Sequence, residues 1–126
     1  MRTVAAVVAL ALTLAANAAA SGTTSLRIRV WPDGPGGRSN AWMLRCDPIG
    51  GTHPRRVDAC RVLASLANPF APVPPEMGCT QIYGGPQLAL VTGTFRGQRL
   101  WTRFKRSDGC QIARWQRVRV LLAPVG

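Results

Sequence analysis

Catalysis needs converging groups, and this chain offers few. His53 is the sole histidine and the one side chain whose ordinary pKa suits a base near neutral pH. It lies in Thr52-His53-Pro54, and no Gly-x-Ser-x-Gly turn occurs anywhere. His53 therefore reads as a structural residue that bonds loop backbone. The carboxylates Asp33, Asp47, Asp58, Glu76 and Asp108 are scattered, so no acid/base pair is expected. No glycine loop closed by a lysine is present to cradle phosphate. An enzyme is not expected, and neither a catalytic residue nor a cofactor is assigned. Cys46, Cys60, Cys79 and Cys110 contain no Cys-x-x-Cys spacing and have one histidine for company, so no metal site is assigned. An even cysteine count in a short chain reads instead as two disulfides, with about three pairings open.

One segment carries a different kind of chemistry. Between Pro69 and Gly85 stand Pro69, Pro72, Pro74, Pro75, Gly78, Gly84 and Gly85. The prolines keep the backbone extended and remove sheet donors. A stretch of this length without regular structure is uncommon in a compact domain. Within it lies Cys79-Thr80-Gln81-Ile82-Tyr83. Two readings are open here. An extended strand held in shape can enter a protease cleft at small entropic cost. Alternatively, the loop is pinned only for stability.

The elements that position this segment follow from periodicity. Leu26–Val30 alternates apolar with basic, which predicts a strand with one buried face. Pro32–Gly37 ends it, and Ala41–Cys46 returns as its hairpin partner. Asp47–Arg56 is a loop. Val57–Leu66 has helical spacing at Val57, Cys60, Leu63 and Ala64, and Asn68-Pro69 stops it. Gln87–Phe95 and Gln98–Lys105 form two more strands around Arg96-Gly97. Leu100, Thr102 and Phe104 take one face, and Trp101, Arg103 and Lys105 the other. Ser107–Trp115 is a short helical turn capped by Ser107, with Cys110 and Ile112 facing inward. Arg117–Leu122 alternates again and is expected as the fifth strand. The fold class is α+β: a five-stranded antiparallel sheet, one main helix and a second short helix on one face, and two disulfides.

Residues 1–20 read as a secretory signal. Arg2 starts it, Val4–Ala16 is apolar, and Ala16-Asn17-Ala18-Ala19-Ala20 supplies small residues for cleavage. The apolar run is shorter than the roughly 20 residues of a membrane span, so no membrane association is expected after cleavage. Residues 21–126 then form one secreted, extracellular domain. Without Arg2 it has 15 basic and 5 acidic side chains, a net charge of +10. That charge favours acidic partners. Tryptophans beside arginines suit nucleic acid, yet alternating arginines are also an ordinary wet sheet face, and nucleic acid is not expected.

Cys46-Asp47-Pro48-Ile49-Gly50-Gly51-Thr52-His53-Pro54, followed after four residues by Ala59-Cys60 and Leu63, resembles the signature of the subtilisin-inhibitor family of Streptomyces and relatives. Cys79 opens a matching Cys-x-x-hydrophobic-Tyr stretch, and Cys110 follows a strand pair. The resemblance runs from Ala41 to about Leu122. It implies pairing of Cys46 with Cys60 and of Cys79 with Cys110. It implies a scissile bond between Gln81 and Ile82, a protease-binding loop of Gly78, Cys79, Thr80, Gln81, Ile82 and Tyr83, and a subtilisin-like serine protease as partner. It also implies a homodimer through a sheet face, on which Arg27 and Arg29 would confront their copies. Three departures bear on strength. Gln81 is neutral, which disfavours trypsin-like targets with an acidic pocket. Gly78 offers nothing to an apolar subsite. Gly84-Gly85 predicts a looser connection after the scissile bond. A second reading is a secreted cationic binding protein on the same scaffold without inhibitory activity.

Overall fold

The computed structural model describes residues 22–123 and, apart from them, Ala9. The expected signal at 1–20 lies outside the described residues but for that alanine. The elements are β1 (Thr24–Trp31), β2 (Asn40–Cys46), β3 (Gly50–Gly51), α1 (Arg56–Ser65), β4 (Leu88–Phe95), β5 (Gln98–Phe104), α2 (Gly109–Arg117) and α3 (Arg119–Leu122). No described helix is long and apolar enough to cross a membrane.

Alternation in the strands does what period two requires. Leu26, Ile28 and Val30 of β1 point inward with Leu44, Ala89, Val91 and Phe104 from its neighbours. All pairs are antiparallel, in the order β3-β2-β1-β4-β5, so β1 is central. α1 buries Ala59, Cys60 and Leu63 against this face. α2 and α3 add Trp115, Val118, Leu121 and Leu122. The α+β architecture is as expected. On β5, Leu100, Thr102 and Phe104 are the inward residues, while Trp101, Arg103 and, just past the strand, Lys105 are exposed.

The fifth strand is not where alternation placed it. Arg117–Leu122 holds the end of α2 and the short α3 instead. Val118, Val120, Leu121 and Leu122 are all buried. Trp115, Val118 and Leu122 follow helical spacing, and that period overrides the short basic/apolar alternation. The fifth strand is β3, inside the glycine-rich loop. Gly51 has φ +102, and a Cβ there would sit 2.2 Å from the Met43 carbonyl oxygen. Only glycine permits that approach. The Thr52 and His53 amides then both donate to that oxygen, at 2.9 and 3.0 Å.

The cap of α2 also differs. Asp108, not Ser107, accepts from the Gln111 amide at 2.9 Å. Cys110 and Ile112 are half-buried, and the fully inward residues are Arg114 and Trp115. At the other end of α1, Arg96 reaches over from the β4–β5 turn. Its guanidinium donates to the carbonyls of Leu63, Leu66 and Ala67 at 2.8, 2.9 and 2.9 Å. They lie at and just beyond the C-terminal end of α1, where a cation is favourable; the Leu63 carbonyl also accepts from the Leu66 amide at 3.4 Å.

His53 is fully buried and ties the loop before α1 to the last helix. The Arg55 amide donates to Nδ1 at 3.1 Å, so that nitrogen carries no proton. Nε2 therefore holds the proton and donates to the Leu121 carbonyl at 3.0 Å. Burial pushes the pKa below the ordinary 6.5, against the opposing pull of the Leu121 bond, and the charges of Arg55 and Arg56 lower it further. In the unfolded chain this ring takes a proton below about pH 6.5, while the folded protein resists it. The stabilisation is thus complete above that pH and is lost progressively as pH falls toward the folded value. The denaturant midpoint should drop between pH 7.5 and 5.5. His53→Gln, less stable throughout, should flatten that slope.

Candidate functional site

The proline-rich segment is anchored before it becomes exposed. Phe70 is buried and packs edge-on against Phe95 and Phe104, with ring centroids 4.9 and 6.2 Å apart. The Arg114 guanidinium lies 4.0 Å from the Phe104 ring centroid. It donates to the carbonyls of Phe70 and Ala71 at 3.3 and 2.8 Å, to the Arg103 carbonyl, and to the Thr102 hydroxyl. No carboxylate takes part. Burial, then the nearby charge of Arg117, lowers the Arg114 pKa, but a guanidinium stays charged at any ordinary pH. Arg114 thus joins the start of the exposed segment to β5 and α2.

Residues 74–78 are all exposed, while Val73 before them is still half-buried. Cys79 brings the chain back through its bridge to Cys110, and Cys46 is bridged to Cys60. Both pairings are those the resemblance implied. The Thr80 carbonyl accepts from the Gly109 amide at 3.0 Å. Gln81, Ile82 and Tyr83 then stand clear of the protein, with Ile82 62% and Tyr83 68% exposed. The chain is caught again at Gly84, whose amide donates to the Arg106 carbonyl at 2.7 Å. The Arg106 Nε donates back to the Gly84 carbonyl at 3.2 Å.

The connection at Gly84 is therefore tight, not loose as the two glycines predicted. A Cβ on Gly84 would lie 2.8 Å from Ile112 Cδ1 and 3.2 Å from the Arg106 Cβ. Glycine here marks close packing against α2 rather than freedom. A Cβ on Gly109 would fall 2.0 Å from Thr80 Oγ1. One short stretch, Arg106–Cys110, holds the chain on both sides of the exposed Gln81–Tyr83 triplet.

This arrangement leaves a solvent-facing peptide at Gln81–Tyr83, and no described His, Asp or Glu lies in it. His53 is buried with both ring nitrogens bonded to backbone, to neither of the loop's anchors. Cys79, Asp108 and Cys110 come together, but both sulfurs are joined to each other and neither is a thiolate ligand. Sequence reasoning missed Arg106, Gly109 and Arg114. Arg106 and Gly109 act through backbone or close approach, and Arg114 has no acidic partner to reveal it.

The sequence matches the family described as Subtilisin inhibitor-like over residues 6–107. The chain belongs to the subtilisin inhibitor-like family. Members of this family are inhibitors of proteases rather than enzymes. Among solved structures, this subtilisin inhibitor-like chain is similar to Streptomyces caespitosus sermetstatin, described in complex with Bacillus licheniformis subtilisin. The identity is 21%, covering 77% of this chain and 97% of that one, with a TM-score of 0.49. No match was found among curated proteins.

Proposed function

We propose that the chain is a secreted inhibitor of subtilisin-like serine endopeptidases that works by the standard mechanism. Its protease-binding loop is Gly78–Tyr83, and its scissile bond joins Gln81 to Ile82. The observation that carries this reading is the pair of anchors around one exposed triplet: Cys79 and Thr80 held by Cys110 and Gly109, and Gly84 held by Arg106. The loop enters the cleft as a substrate, with Gln81 in the primary pocket. Attack on the Gln81 carbonyl breaks the bond to the Ile82 nitrogen and forms an acyl-enzyme. Both new ends remain attached to the same segment of the inhibitor. The freed amine stays beside the ester, so religation competes with hydrolysis. A loop fixed in advance also loses little freedom on docking.

In this reading residues 1–20 are removed on export, residues 21–126 are the inhibitor, and the two disulfides fit an oxidising, extracellular site. Partial proteolysis tests the reactive bond. A catalytic amount of a subtilisin-like protease, incubated with the inhibitor at low pH, should produce one new N-terminus, beginning at Ile82. A first cut anywhere else refutes the assignment. Titration of protease activity should reach zero at a fixed stoichiometry; a cationic binding protein without inhibitory activity would leave it untouched. A homodimer through the open sheet face would set the exposed Arg27 and its neighbour Arg29 against their copies, so its formation should strengthen with salt.

A further inference from the structure

On the helical side of the protein, α1, α2 and α3 border an open groove of about 790 Å³, completed by Gly84, Gln87 and Arg106, that no residue of the exposed triplet enters. Arg55, Arg61, Arg106, Arg117 and Arg119 line it, and Asp58 is its one carboxylate. Five guanidinium groups against one carboxylate leave a net charge of +4. Asp58 is already shared: Oδ2 lies 3.1 Å from Arg55 and Oδ1 lies 3.3 Å from Arg61. Arg106 uses Nε on the Gly84 carbonyl and lies 5.9 Å from the centroid of the Trp115 ring, which also lines the concavity. Its two terminal nitrogens bond to no described residue. Arg117 and Arg119 form no ion pair among the described residues.

A convex surface disperses such charges into water. A concave one with apolar walls concentrates their potential and raises the local level of counter-ions. We propose that this groove is a binding site for a multiply charged phosphate chain. The guanidinium fork matches phosphate oxygens two at a time, which an ammonium does not. A single phosphate group supplies about two negative charges, fewer than the groove presents, whereas three linked phosphates match it. The volume lies within the range of about 300–1,000 Å³ typical of small-ligand sites. The groove shares Gly84 and Arg106 with the anchor behind the exposed triplet, but no residue of the triplet lines it, and the arginines varied below lie outside that anchor.

Calorimetric titration of the full secreted chain with inorganic tripolyphosphate tests it, in about 0.15 M salt so that diffuse surface attraction is screened. One saturable site per chain is expected. R117Q/R119Q alters two exposed residues and should leave the melting temperature unchanged while weakening binding at least tenfold. R117K/R119K should show an intermediate loss. The sheet-face pair R27Q/R99Q, which removes the same charge elsewhere, should change affinity by less than twofold. Orthophosphate should bind at least tenfold more weakly than tripolyphosphate. Absence of a saturable site would overturn the proposal. So would an equal loss in the groove and sheet-face pairs, or tighter binding of a short single-stranded oligonucleotide than of tripolyphosphate.

Discussion

Cys79→Ser combined with Cys110→Ser should convert the protein from an inhibitor into a substrate of the same protease. The bridge spans a sequence separation of 31 residues, and closing a loop of that size is worth roughly 3–4 kcal/mol in the chain-entropy model. Without it, the residues before Gln81, where the scissile bond is proposed, are tied to the body next by the Thr80–Gly109 hydrogen bond. If the bridge's contribution goes wholly into holding the cut ends together, its loss weakens inhibition by about two to three decades. Cleavage between Gln81 and Ile82 should then run to completion. The control is Cys46→Ser with Cys60→Ser, which unties α1 from β2 and should lower stability while leaving inhibition per folded molecule near the parent's. Titration of residual protease activity, with chromatography of the fragments over time, separates the outcomes. A folded Cys79/Cys110 variant that inhibits like the parent would show that the bridge does not hold the bond.

Arg114→Leu should be among the most destabilising single substitutions in the domain. The guanidinium is the common partner of three carbonyls and one hydroxyl drawn from the start of the exposed segment and from β5. Leucine fills much of the volume but strips a partner from one buried acceptor, the Phe70 carbonyl, and three part-buried ones, each at about 1–3 kcal/mol where no water replaces the bond. Allowing for partial relaxation, a loss of about 3–5 kcal/mol is expected, equivalent to a fall in melting temperature on the order of 20 °C for a domain this size. Arg114→Lys should recover little, because three donors on one atom cannot span acceptors on both the Phe70–Ala71 segment and β5. Thermal unfolding followed by circular dichroism measures both. A fall of only a few degrees for the leucine variant would mean that the acceptors find other partners.

The strands were legible where one face is wet and the other dry. Leu26–Val30, Ala41–Cys46, Gln87–Phe95 and Gln98–Lys105 each coincide with an observed strand to within a residue or two at either end, and Val57–Leu66 coincides with α1. The failures share one cause, which is that tertiary packing decided them. Arg-Val-Arg-Val is a strand in isolation, but Trp115 upstream extends its apolar residues into a helical stripe. Gly50-Gly51 has no side chain to show a pattern, and it pairs with Leu44 and Arg45 through a close approach to the Met43 carbonyl. The exposed segment was legible from its prolines and from Cys79. Its anchoring at Gly84 was not, because two adjacent glycines carry the same letters whether they swing freely or are pressed against Ile112. Arg114 was invisible for a related reason: a cation satisfied by carbonyls leaves no acidic residue in the sequence to announce it.

The central place of β1 sets an order of assembly. Its β2 neighbour follows within a few residues, but its other flank stays open until residues 88–95 have emerged from the ribosome. The short bridge, with a separation of 14 residues, can close on a partly made chain, whereas its longer counterpart awaits Cys110. Distant contacts form late because their closure entropy comes due before their reward. The exposed triplet is accordingly held only after Cys110 has emerged, and a shorter nascent chain presents no finished bait.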